Sequence, residues 1–161
     1  MSSCWERSPP GGPPPPRKPT REAAPEASTK VDNRPIPTPT ALSRPHWEGC
    51  KQGKLRVQRC SACGTHVFIP QPICTACQSD TLQWVESTGQ GTVYSYTIVH
   101  RPPRPEFEVP YIVAIVELEE GWFMLTNLVG CEPGEVSVGM GVKVEFEERS
   151  EEISLPVFRR G

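Results

Sequence analysis

Four cysteines, arranged as two closely spaced pairs, limit what this chain can fold into more than any other feature. Two residues separate Cys60 from Cys63 and Cys74 from Cys77, and ten residues lie between the pairs. Two Cys-x-x-Cys turns at this spacing can point four thiolates at one metal ion, which holds together a segment too short for its own core. The pattern predicts a structural zinc site in which protein sulfurs fill all four coordination positions.

The same four sulfurs are also compatible with iron in place of zinc, because paired knuckles also suit a rubredoxin-type electron carrier. Disulfides are disfavoured, since the total of seven cysteines is odd and the N-terminal residues lack the apolar core of a secretory signal. Gly64 follows the first pair and permits the positive φ that such a turn needs, whereas Gln78 stands in the equivalent place after the second. Cys4, Cys50 and Cys131 have no partner at ligand spacing.

The first 45 residues differ in composition from the rest of the chain. They hold 12 of the 20 prolines, with seven Lys or Arg and four Asp or Glu, a net charge of +3. So few apolar residues cannot offset the entropy of ordering, which predicts a disordered arm that serves as a linker or, alternatively, as a ligand for a proline-recognising domain. The remaining 116 residues suffice for one ordinary domain or two small modules that share a core.

Length, charge and hydropathy exclude several classes of protein. A large multidomain enzyme does not fit in 161 residues. Residues 46–161 carry ten Lys or Arg and 15 Asp or Glu, a net charge of −5, whereas proteins that bind a phosphate backbone present a basic face. No stretch approaches the roughly 20 apolar residues that a membrane span requires. We therefore expect a cytoplasmic protein with no membrane association and little affinity for nucleic acid.

A short helix and a series of strands are predicted from the apolar pattern. The helix begins at His46, carries Trp47 as its one large apolar residue and closes at Gly53. After the knuckles, apolar runs of strand length alternate with turn signals. Five such runs without a convincing helix predict a five-stranded OB-type barrel. The predicted strands are 91–100, 111–118, 122–129, 142–148 and 155–159.

No group of residues in the sequence assembles a catalytic site. The three histidines, His46, His66 and His100, lie outside any recognisable motif with a serine or cysteine nucleophile. Acidic residues cluster at 145–152, but strand alternation there indicates a solvated outer face rather than paired catalytic carboxylates. The sequence therefore predicts that this chain alone is not an enzyme.

Several short motifs occur together in an order that resembles the DUF35 family, whose members combine a zinc ribbon with an OB-fold and associate with acyl-CoA enzymes. The resemblance covers roughly residues 44–160. The motifs are a Trp-containing helix, Cys60-x-x-Cys63-Gly64, Cys74-x-x-Cys77, Gly91-Thr92-Val93-Tyr94-Ser95-Tyr96-Thr97, Pro110-Tyr111, Thr126-Asn127-Leu128, Gly139-Met140 and Leu155-Pro156-Val157-Phe158.

The resemblance implies a mainly β chain in three parts: a disordered Pro-rich arm at 1–45, a helix with a rubredoxin-like zinc ribbon at 46–86, and an OB barrel at 87–161. It also implies a role without chemistry of its own. Family members bind acyl-CoA or join a thiolase-like enzyme, hydroxymethylglutaryl-CoA synthase, a MaoC-type hydratase or a sterol side-chain aldolase of the lipid-transfer thiolase type. Only the four cysteines carry a family role over to this sequence.

Two functional hypotheses follow. The first is an accessory subunit in lipid or sterol side-chain metabolism that binds acyl-CoA, a partner enzyme or both, because aromatic faces can stack on adenine and cations can meet phosphate. The alternative is a single-stranded nucleic-acid-binding module. In that module four aromatic side chains would stack on bases: Tyr94, Tyr96, Trp122 and Phe123. The candidate contact residues are Trp47, Tyr94, Tyr96, His100 and Arg101.

Overall fold

The computed structural model describes residues 34–161, and strands dominate this part of the chain. The mainly β class predicted from the sequence is confirmed. The elements are α1 Arg44–Lys51, β1 Arg56–Cys60, β2 His66–Val67, β3 Leu82–Glu86, β4 Gln90–Val99, β5 Tyr111–Leu118, β6 Phe123–Val129, a 3₁₀ helix Pro133–Glu135, β7 Gly141–Glu148 and β8 Ser154–Arg160.

The strands divide into a small sheet and a closed barrel. The sheet has the order β2-β1-β3, and the barrel has the order β4-β5-β6-β8-β7. Neighbouring barrel strands are antiparallel except β6 and β8, which run parallel with Leu128 opposite Phe158. This arrangement confirms the predicted five-stranded OB barrel. Each predicted barrel strand agrees with an observed strand to within one residue at either end.

Alternation along the strands builds one apolar interior that the ribbon and the barrel share. Val116 of β5 and Phe158 of β8 are fully buried inside the barrel. Leu55, which precedes β1, and Val57 within β1 belong to the same buried cluster. The ribbon therefore packs as a part of the barrel core, and the sequence-based expectation of small modules with a common core describes this arrangement.

The helix α1 joins the two parts, since it contacts β1 of the ribbon and also β7 and β8 of the barrel. Its start is fixed by a reciprocal pair: the Thr40 amide donates to the Ser43 hydroxyl at 3.0 Å, and the Ser43 amide donates to the Thr40 hydroxyl at 3.2 Å. The helix therefore begins at Arg44, two residues before the predicted start. It ends before Gly53, whose φ of +73° stops it as predicted.

The described residues begin inside the segment predicted as a disordered arm. Residues 1–33 lie outside the described part, but residues 34–45 have defined contacts that differ from that expectation. The Arg34 guanidinium donates to the Glu147 carboxylate at 3.0 Å, and the Thr40–Ser43 pair orders the approach to α1. An extended Pro-rich segment needs no backbone partners of its own, and the Arg34–Glu147 pair links it to β7.

Candidate metal centre

The two Cys-x-x-Cys turns have the same backbone geometry. The Gly64 amide donates to the Cys60 carbonyl at 2.9 Å, and the Gln78 amide donates to the Cys74 carbonyl at 3.0 Å. Both residues are left-handed, with a φ of +77° for Gly64 and +61° for Gln78. The positive φ predicted for Gly64 is confirmed. Gln78 adopts the same conformation at a cost of about 1 kcal/mol, because a Cβ crowds the backbone there.

The four sulfurs converge on one point. All lie within 4.8 Å of one another, and two pairs, Cys60 with Cys77 and Cys63 with Cys74, are each 3.6 Å apart. Each of these pairs joins the two turns. Sulfurs bound tetrahedrally at a Zn–S distance of about 2.3 Å are separated by about 3.8 Å, so the quartet fits a zinc ion. A disulfide, with a bond of about 2 Å, does not describe these contacts.

Hydrogen bonds favour the thiolate form in part of the quartet. The backbone of Cys63 lowers the pKa of Cys60 to about 6, and the Thr65 hydroxyl, 3.3 Å from the Cys63 sulfur, lowers the pKa of Cys63. The backbone of Ser79 lowers the pKa of Cys77, but hydrogen bonding with the neighbouring thiols outweighs it and raises the pKa to about 12. Four sulfurs this close need a cation before all can be charged, and a thiolate-preferring dication such as zinc supplies it.

A buried imidazole and a buried thiol meet on α1. The Nδ1 atom of His46 lies 2.8 Å from the carbonyl oxygen of Arg56, which can only accept, so Nδ1 carries the hydrogen. Nε2, 3.7 Å from the Cys50 sulfur, then accepts from the thiol. Burial lowers the pKa of His46 and raises the pKa of Cys50 to about 12, so both groups are neutral. The pair anchors the helix and does not activate a nucleophile.

The five residues predicted to contact a ligand or partner lie in two separate regions, one on α1 and the other on β4 and the residues directly after it. Trp47, on α1, is half-buried, with its ring edge-on to His46 at a centroid distance of 5.0 Å. Tyr94 and Tyr96 lie in β4 and are 57% and 37% exposed. The other two, His100 and Arg101, follow the end of β4 and are exposed.

A groove of 680 Å³ opens on the barrel, and none of those five predicted residues is among the residues that line it. Thr92, Glu117 and Lys143, from β4, β5 and β7, are among the residues that line it, and none of the lining residues belongs to the ribbon. Within residues 34–161, the cysteine quartet is the one group of three or more His, Cys, Asp or Glu side chains placed to hold a metal ion. The same residues include no helix with the length and hydropathy to cross a bilayer.

A four-sulfur ribbon packed against an OB barrel defines a zinc-ribbon and OB-fold protein. Residues 47–83 match the family described as the ChsH2 rubredoxin-like zinc ribbon domain, and residues 84–147 match the ChsH2 C-terminal OB-fold domain. The predicted structural zinc is thereby confirmed. The chain belongs to the DUF35 family.

Several relatives support this assignment. A DUF35 domain-containing scaffold protein of Methanocaldococcus jannaschii is 38% identical over 96 residues, which cover 58% of this chain and 68% of that protein. A probable enoyl-CoA hydratase alpha subunit of Thermomonospora curvata is 48% identical over 113 residues, 70% of this chain and 35% of that protein. A 3-oxo-4,17-pregnadiene-20-carboxyl-CoA hydratase alpha subunit of Mycobacterium tuberculosis is 38% identical over 116 residues, 67% of this chain and 37% of that protein. The chain thus spans about a third of the length of these hydratase subunits.

One solved structure contains a chain that this protein matches over nearly its whole length. It is described as an Ltp2-ChsH2(DUF35) aldolase, and it contains a chain that is 44% identical to this one with a TM-score of 0.71. The similarity covers 78% of this chain and 98% of that chain.

Proposed function

We propose that this chain is a non-catalytic accessory subunit of an acyl-CoA enzyme complex in lipid or sterol side-chain metabolism. The observation that carries the proposal is the 44% identity over 98% of a chain in the Ltp2-ChsH2(DUF35) aldolase structure. The names of the hydratase alpha subunits point to acyl-CoA chemistry as well. The partner is then a thiolase-like aldolase subunit or a MaoC-type hydratase, and the reaction belongs to that partner.

The chemistry of the described side chains supports a subunit without its own reaction. In the proposal, Cys60, Cys63, Cys74 and Cys77 are the four zinc ligands. Such a site has no open coordination position for a water or a substrate, so the metal maintains the ribbon. The thiol–imidazole pair on α1, Cys50 with His46, is buried and neutral. Neither centre offers a reacting atom to an acyl-CoA thioester.

The proposal also assigns the contact with acyl-CoA to β4 and the residues directly after it. The exposed faces of Tyr94 and Tyr96 are available for stacking on adenine, and His100 and Arg101 continue from the same strand into solvent. An extended CoA molecule along β4 would bring its phosphates toward the Arg101 guanidinium and the His100 imidazole. Trp47, on α1, belongs in this proposal to the contact with the partner protein.

The subunit role is tested by affinity purification of the tagged full chain from its native cells, followed by mass spectrometry. We expect a thiolase-like or hydratase-like subunit in a stoichiometric ratio that survives size-exclusion chromatography. The variant Cys60→Ala, which should lack zinc and have a disrupted ribbon, should no longer copurify with that subunit. Retention of nucleic acid with no enzyme subunit would contradict the proposal and support the OB barrel as an independent single-strand binder.

Acyl-CoA contact is tested by calorimetric titration of CoA thioesters into the chain, alone and with its partner. Arg101→Ala should weaken binding about 5- to 30-fold, as expected for a charge-assisted contact to phosphate. Arg59→Ala, which changes an exposed arginine of β1 in the ribbon, is the matched control and should bind normally. Equal affinities of the Arg101 variant and the wild type would remove these residues from the ligand site and leave the subunit role intact.

A further inference from the structure

The outer side of the barrel carries a cluster of apolar side chains that are exposed and are not part of the buried core. Tyr94 of β4, Ile115 of β5, and Phe123 and Leu125 of β6 form this cluster, called here the outer patch. The exposed fractions are 57% for Tyr94, 36% for Ile115, 45% for Phe123 and 68% for Leu125. The residues are contiguous: Ile115 lies opposite Leu125 in the strand register, and the rings of Tyr94 and Phe123 meet edge-on at 5.1 Å.

Local backbone geometry contributes to this exposure. The pairing of β4 with β5 shifts between Val93 and Ser95, so Tyr94 is the extra residue of a bulge. Val93 remains buried, and Tyr94 next to it is turned outward. Contiguous exposed apolar residues of this kind are typical of protein interaction sites.

Strand β7 shows what the outer side of this barrel looks like when it faces water. On β7 the outward positions carry charge, with Lys143 exposed, Glu145 paired to Arg159 at 2.8 Å, and Glu147 paired to Arg34 at 3.0 Å. On β5 and β6 the equivalent outward positions hold Ile115, Phe123 and Leu125. Two regions of one barrel surface are therefore built from different residue types, and only the outer patch lacks the pattern of a solvated face.

Charge at the patch limits what can cover it. Glu117 is the single Asp, Glu, Lys or Arg in β4, β5 and β6, and it lies opposite Phe123 on the outer side. No ion pair to Glu117 forms among residues 34–161. A two-fold contact between copies of this chain would place the same patch, and so the same carboxylate, on both sides. Phosphate-rich nucleic acid would meet the same negative charge, so a partner with a cation opposite Glu117 fits best.

We propose that the outer patch is the docking surface for the partner subunit, whose facing surface is apolar at its centre and presents a Lys or Arg to Glu117. This inference rests on the proposed function, because it says where the accessory subunit meets its enzyme. Leu125 and Phe123 supply the apolar anchors. Glu117 supplies orientation through charge complementarity.

The test measures the affinity of the purified chain for the partner subunit recovered with the tagged protein, or for an Ltp2-type aldolase subunit. Leu125→Glu should raise the Kd at least about 30-fold, because a carboxylate would enter an apolar contact. Ile69→Glu places the same carboxylate at an apolar side chain of the ribbon that is 70% exposed and is the matched control, with an unchanged Kd. Because Leu125 is 68% exposed, its replacement leaves the core intact, which equal zinc content and melting temperature would verify.

The proposed role of Glu117 in orienting the partner is tested by changing its charge. Glu117→Lys should raise the Kd about 10-fold or more, and Glu117→Gln should reduce the dependence of affinity on salt. Equal binding by wild type, Leu125→Glu and Glu117→Lys would overturn the assignment of this surface while leaving the subunit role standing. Self-association that Leu125→Glu abolishes would replace the partner with a second copy and overturn the proposal. Failure of the wild type to bind either subunit would overturn the proposed function itself.

Discussion

The ring of Phe68 in the ribbon packs against the ring of Trp122, the residue before β6, with centroids 5.2 Å apart. Phe68 also meets the His46 ring of α1 at 5.5 Å, so one side chain contacts both the helix and the barrel. Trp122 is buried in the common core. The stability of the barrel should therefore depend on a correctly folded ribbon, although the barrel itself contains no metal ligand.

Phe68→Ala tests this coupling directly. Removal of a half-buried ring from the ribbon-barrel contact should lower the free energy of unfolding by about 2 kcal/mol, less than the cost for a fully buried Phe. Ile69→Ala, at the next residue, is the control. The Ile69 side chain is 70% exposed, so its truncation should change the free energy of unfolding by less than about 0.5 kcal/mol. Urea unfolding followed by tryptophan fluorescence measures both. Equal effects of the two substitutions would show that the ribbon does not support the barrel.

Loss of one sulfur should release the metal and weaken the barrel. The purified wild type is expected to hold one zinc ion per chain, and Cys60→Ala is expected to hold none, because three thiolates bind zinc far more weakly than four. Elemental analysis gives the metal content and differential scanning calorimetry gives the melting temperature, which should fall with the metal. Cys131→Ala, outside the quartet, should keep both values. A red protein that contains iron would contradict the zinc assignment.

Gln78→Gly should strengthen the second knuckle. Glycine removes the Cβ that costs about 1 kcal/mol at the left-handed φ of +61°, and its greater freedom in the unfolded chain returns part of that gain. We expect a net gain of about 0.5 kcal/mol and slower transfer of zinc to a chelator. The reciprocal change, Gly64→Gln, should have the opposite effect, since Gly64 adopts a φ of +77°. A slower transfer for both variants would contradict the strain interpretation.

The His46 pair predicts a dependence of stability on pH. Burial lowers the pKa of His46 below 6.5, so the unfolded chain takes up the proton first as the pH falls. The contribution of the neutral His46 ring to the free energy of unfolding is therefore complete above about pH 6.5 and declines at lower pH. His46→Gln should flatten the decline of the melting temperature between pH 7.5 and 5.5. Identical slopes for the wild type and this variant would show that His46 does not contribute.

Much of this architecture is readable from the sequence because its signals are local. The spacing of Cys60, Cys63, Cys74 and Cys77 defines the ribbon, and apolar runs of strand length between turn signals define the barrel strands. One feature that the sequence did not predict depends on another part of the chain. β2, His66–Val67, has only two residues and no pattern of its own, so it exists as a strand only through pairing with β1.

The candidate site shows the same division between local and distant causes. The bond between His46 and the Arg56 carbonyl requires the turn between α1 and β1, which composition does not specify. Met124 and Leu125 of β6 are both apolar, so the sequence does not say which of them faces outward. Only the closed barrel reveals that Leu125, Ile115 and Tyr94 are neighbours on one exposed surface. Patches formed by several strands become visible once the register is known.

The most direct test of the accessory role compares acyl-CoA turnover by this chain alone, by its copurified partner alone and by the one-to-one complex. We expect no turnover by the chain alone and full turnover by the complex, with the catalytic groups supplied by the partner. The Cys60→Ala variant should fail to restore the activity of the complex, because the disrupted ribbon no longer supports binding. Turnover of an acyl-CoA thioester by this chain without any partner would contradict the role.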